Sequence, residues 1–202
     1  VTGYGVYQAM RACAVAQWGE PSLAGKTIAM QGFGNVANSL ASYLLEAGAK
    51  LVVTDIYEGA RAKAAEMAGV ELVEPDAIYD VAADIFAPCA LGGVLNEDTI
   101  ARLQAPIVCG AANNQLGDEE ADSERLKERG IIYAPDYIVN AGGVINVASE
   151  YAGPYDRDAA MAKAGEIFDT TTLVIQRSRD EGITTEQAAD AIAEQRIAAG
   201  RV

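Results

Sequence analysis

The sequence predicts an α/β fold: one doubly wound parallel sheet, helices on both of its faces, and further helices flanking it at the N- and C-terminal ends. Three observations lead there. Short apolar, β-branched runs alternate with segments of helical period, the pattern of a parallel sheet covered on both sides. The stretch "MQGFGNVANSLASYLLEAGAKLVVTD", residues 30–55, sets a glycine-rich turn between a strand and a helix. Half of the 202 residues are hydrophobic, which is enough material for one sizeable core.

The elements follow in order. "VTGYGVYQAMRACAVAQWG" is helical by its spacing of Val6, Met10, Cys13 and Ala14, and Gly19 stops it. "KTIAMQ" is a short buried strand, Asn35 to Ala47 a helix ended by Gly48, and "KLVVTD" a second strand rich in β-branched residues. "EGARAKAAEMAG" is helical and "VELVE" a third strand. "ADIFAPCA", "APIVCGAANN" and "GIIYAPDYI" are three more strand-like apolar runs, with the helix "DEEADSERLKERG" between the last two. From Asn140 the pattern turns helical: "NAGGVINVASEYAG", then "DRDAAMAKAGEIFDTTTLVIQRSRDEG", then "TTEQAADAIAEQRIAAG", the last with a cap signal at Thr185. Six strands with a switch point beside the first make the dinucleotide-binding (Rossmann) arrangement. A single domain over 1–202 is expected, with its core in 19–153 and C-terminal helices in 154–202.

Composition removes several function classes. The net charge of −14 repels nucleic acid and anionic membrane. With no histidine, His-based triads and His-containing zinc sites are excluded. Cys13, Cys89 and Cys109 form no CxxC and no ligand cluster, so reduced thiols in a cytoplasmic protein are expected and no metal site is. No apolar run reaches membrane-spanning length.

The glycine turn carries the chemistry. Gly32, Gly34 and Ala37 fit GxGxxA: Gly32 permits the tight turn, Gly34 removes the Cβ that blocks a pyrophosphate, and Ala37 keeps helix and strand close. The N–H groups near Asn35 and Val36 then face phosphate with the helix dipole behind them. Asp55 ends the next strand at the spacing the fingerprint wants, where a carboxylate accepts both adenosine-ribose hydroxyls and repels a 2′-phosphate. The implied cofactor is NAD rather than NADP.

Five ordered motifs extend the pattern: "TGYGV" at 2–6, "GFGNVA" at 32–37, "DIFAPCALGGVLN" at 84–96, "GAANNQL" at 110–116 and "YAPDYIVNAGGVINV" at 133–147. In them the chain resembles the cofactor-binding domain of the leucine/valine/phenylalanine dehydrogenases, within the glutamate dehydrogenase superfamily. The resemblance implies roles. Thr2 hydrogen-bonds the nicotinamide carboxamide, Cys89 and Ala90 pass beside the adenosine ribose, and Ala112 and Asn113 lie under the nicotinamide ribose. Asn140 faces nicotinamide and substrate together, while Val144 and Val147 line the substrate side-chain pocket. Read without the family, Thr2 is a helix cap, Asn113 and Asn140 are turn residues, and the two valines are core.

Family members oxidise an L-amino acid by hydride transfer to the nicotinamide and then hydrolyse the imine, using a pair of lysines and an aspartate from a separate, N-terminal domain. Lys26, Lys50, Lys63, Lys127 and Lys163 here match no such motif. The resemblance therefore implies an NAD-binding domain of an apolar-amino-acid dehydrogenase without catalytic residues of its own. An apolar L-amino acid would be its partner only with the missing domain. The alternative is a stand-alone NAD-binding module without turnover. The oligomeric state stays open.

Overall fold

The structure is a computed structural model that describes residues 1–151 and 155–200. Six strands form one parallel sheet: β1 (Thr27–Gln31), β2 (Lys50–Thr54), β3 (Val70–Leu72), β4 (Ile85–Pro88), β5 (Ile107–Val108) and β6 (Ile132–Tyr133). Their spatial order is β3-β2-β1-β4-β5-β6. The chain winds outward from β1 in one direction and from β4 in the other, so the switch point lies between those two strands.

Both faces of the sheet are buried, and the period-2 alternation of a strand divides its residues between two cores. Ile28, Met30, Leu51, Val53, Ile85, Ala87, Ile107 and Ile132 point to one face, where they meet Val6, Met10 and Cys13 of α1 (Thr2–Trp18) and Leu40 and Leu44 of α2 (Asn35–Glu46). Ala29, Val52, Phe86, Val108 and Tyr133 point to the other, against Ile78 and Tyr79 of a 3-10 turn, Ile100 of α4 (Glu97–Arg102) and Leu126 of α5 (Glu119–Glu128). Each fully buried valine, leucine, isoleucine, phenylalanine or methionine among them contributes about 1.5–3 kcal/mol. The remaining helices are α3 (Glu58–Ala65), α6 (Asp136–Val139), α7 (Gly142–Tyr151), α8 (Arg157–Gly165), α9 (Ile167–Glu181) and α10 (Thr185–Ala198). Ile167 and Ile175 of α9 enter the first core, and a small third cluster of Val174, Ala188, Ala189 and Ile192 docks α10 onto α9.

Several elements differ from the sequence reading. "GIIYAPDYI" is strand only at Ile132–Tyr133, and Asp136–Val139 is helical. Pro135, which has no N–H to give a ladder, ends the strand, and the acidic Asp136 suits a helix start. The segment after "CALGGVL" holds α4, capped by a reciprocal box in which Asn96 Oδ1 accepts the Thr99 N–H at 3.2 Å and Thr99 Oγ1 accepts the Asn96 N–H at 3.0 Å. The long helical run after Asp156 breaks between α8 and α9 at Gly165 and Glu166, the glycine being its weakest helix former. The cap of α10 is Thr184, one residue before the expected Thr185: its hydroxyl accepts the Gln187 N–H at 3.2 Å. The expected division at 153–154 falls outside the described residues. No described helix is long and apolar enough to cross a membrane.

Candidate functional site

The candidate residues gather along the C-terminal edge of the sheet, around the switch point. Gly32 follows β1 directly with φ of 98°, a left-handed conformation that side chains resist. Its N–H donates to the Thr54 carbonyl at 2.7 Å, and a Cβ placed on it would lie 2.8 Å from both the Ala90 nitrogen and the Ala90 Cα. The turn and the loop after β4 thus touch backbone to backbone, bringing Ala90 against the glycine loop. Gly34 is different: it has an ordinary φ of −75°, and a Cβ there would meet nothing within 4 Å. Nothing in the fold demands glycine at that position, which leaves the space in front of the loop as the reason for it.

Gly34 is also the N-cap of α2, with no side chain satisfying the helix's first N–H groups and no acidic residue in its first turn. Gly34, Asn35 and Val36 are exposed while Ala37 is buried against the core. A helix that presents free N–H groups and no competing carboxylate is prepared for an anion.

Asp55 stands beside this turn. Its Oδ2 accepts the Phe33 N–H at 2.7 Å and its Oδ1 accepts the Tyr57 N–H at 2.9 Å. Two backbone donors fix the carboxylate's orientation and leave each oxygen a further lone pair for an incoming hydroxyl. Cys89, half-buried, donates its N–H to the Gln31 carbonyl at 2.7 Å, and burial pushes its thiol up to about 11. That thiol is no nucleophile at neutral pH.

The other side of the site is assembled from three distant segments. Ala112 is tied to the end of β4 by its N–H to the Pro88 carbonyl at 2.9 Å, and Gly93, in the loop after β4, donates to the Asn114 carbonyl at 2.7 Å. Asn140, between α6 and α7, donates from Nδ2 to Asn113 Oδ1 at 2.6 Å. Thr2 lies close by at the start of α1, but it is not a cap; Val1 holds that position without a side-chain bond. A Cβ on Gly142 would fall 2.8 Å from Thr2 Cα, and one on Gly143 3.4 Å from Thr2 Oγ1, so the two glycines after Asn140 let α7 close onto α1.

Val144 and Val147 do not sit in the core. They are 74% and 51% exposed and share one face of α7 with exposed Ala148 and the 89% exposed Tyr151, at the i, i+3, i+4, i+7 spacing of a continuous stripe. The lysines make no hydrogen bond to the residues of this edge among the described residues, although Lys163 borders a pocket with Ile138, Ala141 and Ile145. Lys26 precedes β1 with its Nζ 3.8 Å from the Trp18 ring centroid and 3.6 Å from Asp84. Lys50 begins β2, Lys63 is exposed on α3, and Lys127 and Lys163 pair with Glu124 and Glu166.

Two residues at this edge were not singled out from sequence. Asn114 is the one non-glycine among the described residues with positive φ, at 51°, and its N–H donates to Asp136 Oδ2 at 2.6 Å. The signal available was the asparagine pair itself, since asparagine tolerates the left-handed region.

Comparison with known proteins follows the same lines. The family described as Glutamate/Leucine/Phenylalanine/Valine dehydrogenase matches over residues 1–59 and 53–199. Leucine dehydrogenase of Thermoactinomyces intermedius is 51% identical over 98% of this chain and 53% of its own length. Valine dehydrogenase of Streptomyces coelicolor is 48% identical over 100% of this chain and 56% of its own. The crystal structure of L-tryptophan dehydrogenase from Nostoc punctiforme superposes with a TM-score of 0.94 at 42% identity, over 97% of this chain and 59% of that one. The chain spans about half the length of the curated relatives it matches.

Proposed function

This chain belongs to the Glutamate/Leucine/Phenylalanine/Valine dehydrogenase family, and on that premise we propose that it is the NAD-binding part of an L-amino-acid dehydrogenase acting on apolar side chains, with the catalytic base supplied by a segment outside it. When bound, NAD supplies the two-electron acceptor for oxidation at the amino acid's Cα. The residues present fit the group. The space before Gly34 and the uncapped start of α2, at Asn35 and Val36, take the pyrophosphate. Asp55 takes the adenosine ribose, Cys89 and Ala90 flank it, and Ala112 and Asn113 underlie the second ribose. Thr2 and Asn140 orient the carboxamide.

The observation that carries the reading is Asp55, braced by the Phe33 and Tyr57 N–H groups with acceptor capacity to spare. The exposed stripe of Val144 and Val147 supports an apolar substrate, since a glutamate carboxylate pressed against two valines loses solvation without recompense from the valines. The relatives' own names, leucine, valine and tryptophan dehydrogenase, point the same way. A base is needed to take the substrate's proton. Asn140 has no titratable group, and Lys163, which borders the pocket beside α6 and α7, is engaged by Glu166 at 2.6 Å, so this chain binds and orients but does not abstract.

Asp55→Ala tests the assignment. It should weaken NAD binding by about 1.5–3 kcal/mol, the loss of hydrogen bonds to a charged acceptor, and narrow the preference over NADP by removing a repulsion. Calorimetric titration of both cofactors measures this. Equal affinity of the unaltered chain for NAD and NADP would rule out the role given to Asp55.

A further inference from the structure

Asp136 is 8% exposed at the start of α6. The small cavity it lines is bordered by Glu119, Tyr133, Tyr137 and Glu186 and contains no lysine or arginine. A buried carboxylate without a counter-cation is costly unless its hydrogen bonds return the cost. Its partners show what it holds. Oδ2 accepts the Asn114 N–H at 2.6 Å, and its main-chain carbonyl accepts the Asn140 N–H at 2.9 Å. Asn140 Nδ2 in turn donates to Oδ1 of Asn113, the residue preceding Asn114, at 2.6 Å.

These bonds close a ring: Asp136 side chain to Asn114, through the chain to Asn113, across to Asn140, and back to the Asp136 carbonyl. The ring joins the loop after β5 to the junction of α6 and α7, beside a longer contact of Asn140 Nδ2 with the Ala111 carbonyl at 3.5 Å and the packing of Ala111, Val139 and Ala141 in one core. It also secures Asn114 at its φ of 51°, a left-handed conformation that asparagine tolerates and that aims its N–H at the Asp136 carboxylate. The bond from a carboxylate is the charge-assisted kind, roughly twice as strong as a neutral one.

We infer that Asp136 is a positioning residue for the nicotinamide end of the site, fixing Asn113 and Asn140 against each other without touching the ligand. The inference rests on the dinucleotide reading above. It predicts a defect confined to one end of the cofactor.

The test uses the chain as it stands, with NADH followed by its dihydronicotinamide emission and ADP, which lacks the nicotinamide and its ribose, followed by calorimetry. Asp136→Ala should cut the emission change at saturating NADH to below about half while leaving ADP affinity within about twofold, less than 1 kcal/mol in equivalent terms. Asp136→Asn keeps the shape and a weaker, neutral acceptor, so it should fall between, and it serves if the alanine variant does not fold. In an Asn113→Ala background, Asp136→Ala should add nothing further, because both act through one ring. Parallel losses of NADH and ADP binding, or additive effects of the two substitutions, would show a general scaffold role and overturn the inference. A wild-type chain that binds ADP, with NADH emission indifferent to Asp136, overturns this inference alone. A wild-type chain that binds neither ligand overturns the dinucleotide reading and this inference with it.

Discussion

Residues 32–55 and the set made by Thr2 with residues 112–147 share one edge of the sheet but are held in place differently. The first set is local. Gly32, Phe33 and Asp55 belong to one strand–helix–strand unit, and the bonds that shape the turn run within it or to the adjoining Ala90 loop. The second set is convergent: Asn113, Asn140 and Thr2 come from three parts of the chain, meet by side-chain bonds and close packing, and adjoin a helix face that stays exposed. A local site is complete once its unit folds. A convergent one depends on the packing of α1, α6 and α7, and its apolar stripe needs a covering surface before it can enclose anything.

The sharpest way to break this comparison is within the glycine turn. Gly32→Ala forces a side chain into a left-handed backbone and against the Ala90 main chain, and should cost about 3 kcal/mol of stability. Gly34→Ala meets neither constraint; stability should change by less than about 0.5 kcal/mol while NAD affinity falls roughly tenfold or more. Denaturant melts paired with NAD titration separate the two. Equal stability losses at both positions would mean that Gly34 serves the fold and not the ligand.

A comparable effect is expected beneath the convergent half. Glu186 is 5% exposed at the start of α10. Burial, followed by the nearby charges of Asp136, Glu119 and Asp190 and opposed by a hydrogen bond from Tyr137, pushes its carboxyl up to about 7 from 4.5. The folded state then holds a proton that the unfolded chain has released, so this contribution to stability is full below about pH 4.5 and declines as pH rises through 7. The decline is on the order of 3 kcal/mol. Glu186→Gln should flatten that part of the stability–pH curve, as read from melts between pH 5 and 8. An unchanged slope would place the titration elsewhere.

The smallest effect belongs to the stripe. Val144→Ser with Val147→Ser should shift stability by less than about 0.5 kcal/mol, since both side chains already face solvent. In a protein that includes the covering domain, the same pair should lower kcat/KM for leucine. A large stability loss in this chain alone would mean that the valines pack within it.

The contrast also explains what could be read from sequence. The doubly wound sheet and the glycine loop were legible because each depends on contiguous signals: β-branched runs, GxGxxA, and an aspartate at the end of the next strand. Motif resemblance gave Asn113 and Asn140 roles at the nicotinamide end but not their bond to each other, since nothing in either asparagine's neighbourhood specifies a partner 27 residues away. Asp136 was hidden more deeply. It lies in "APDYI", where the apolar neighbours suggest a strand, and its partner Asn114 is 22 residues distant. Glu186 was masked by ordinary helix-start composition; the docking of α10 onto α9 and α5, with Tyr133 and Tyr137 beside it, buries it. The α4 helix was missed because Asn96 and Thr99 cap too short a segment for periodicity to register.

The central claim is that this chain holds a working cofactor site and not a working active site. The most direct measurement is a single preparation titrated with NAD and with ADP-ribose by calorimetry, then supplied with NAD and leucine, valine or phenylalanine while NADH absorbance is followed. The account predicts that both ligands bind, with comparable affinities because the local half of the site carries most of the hold, and that no sustained NADH appears. Continuous NADH production by the chain alone would contradict it, as would failure to bind either ligand.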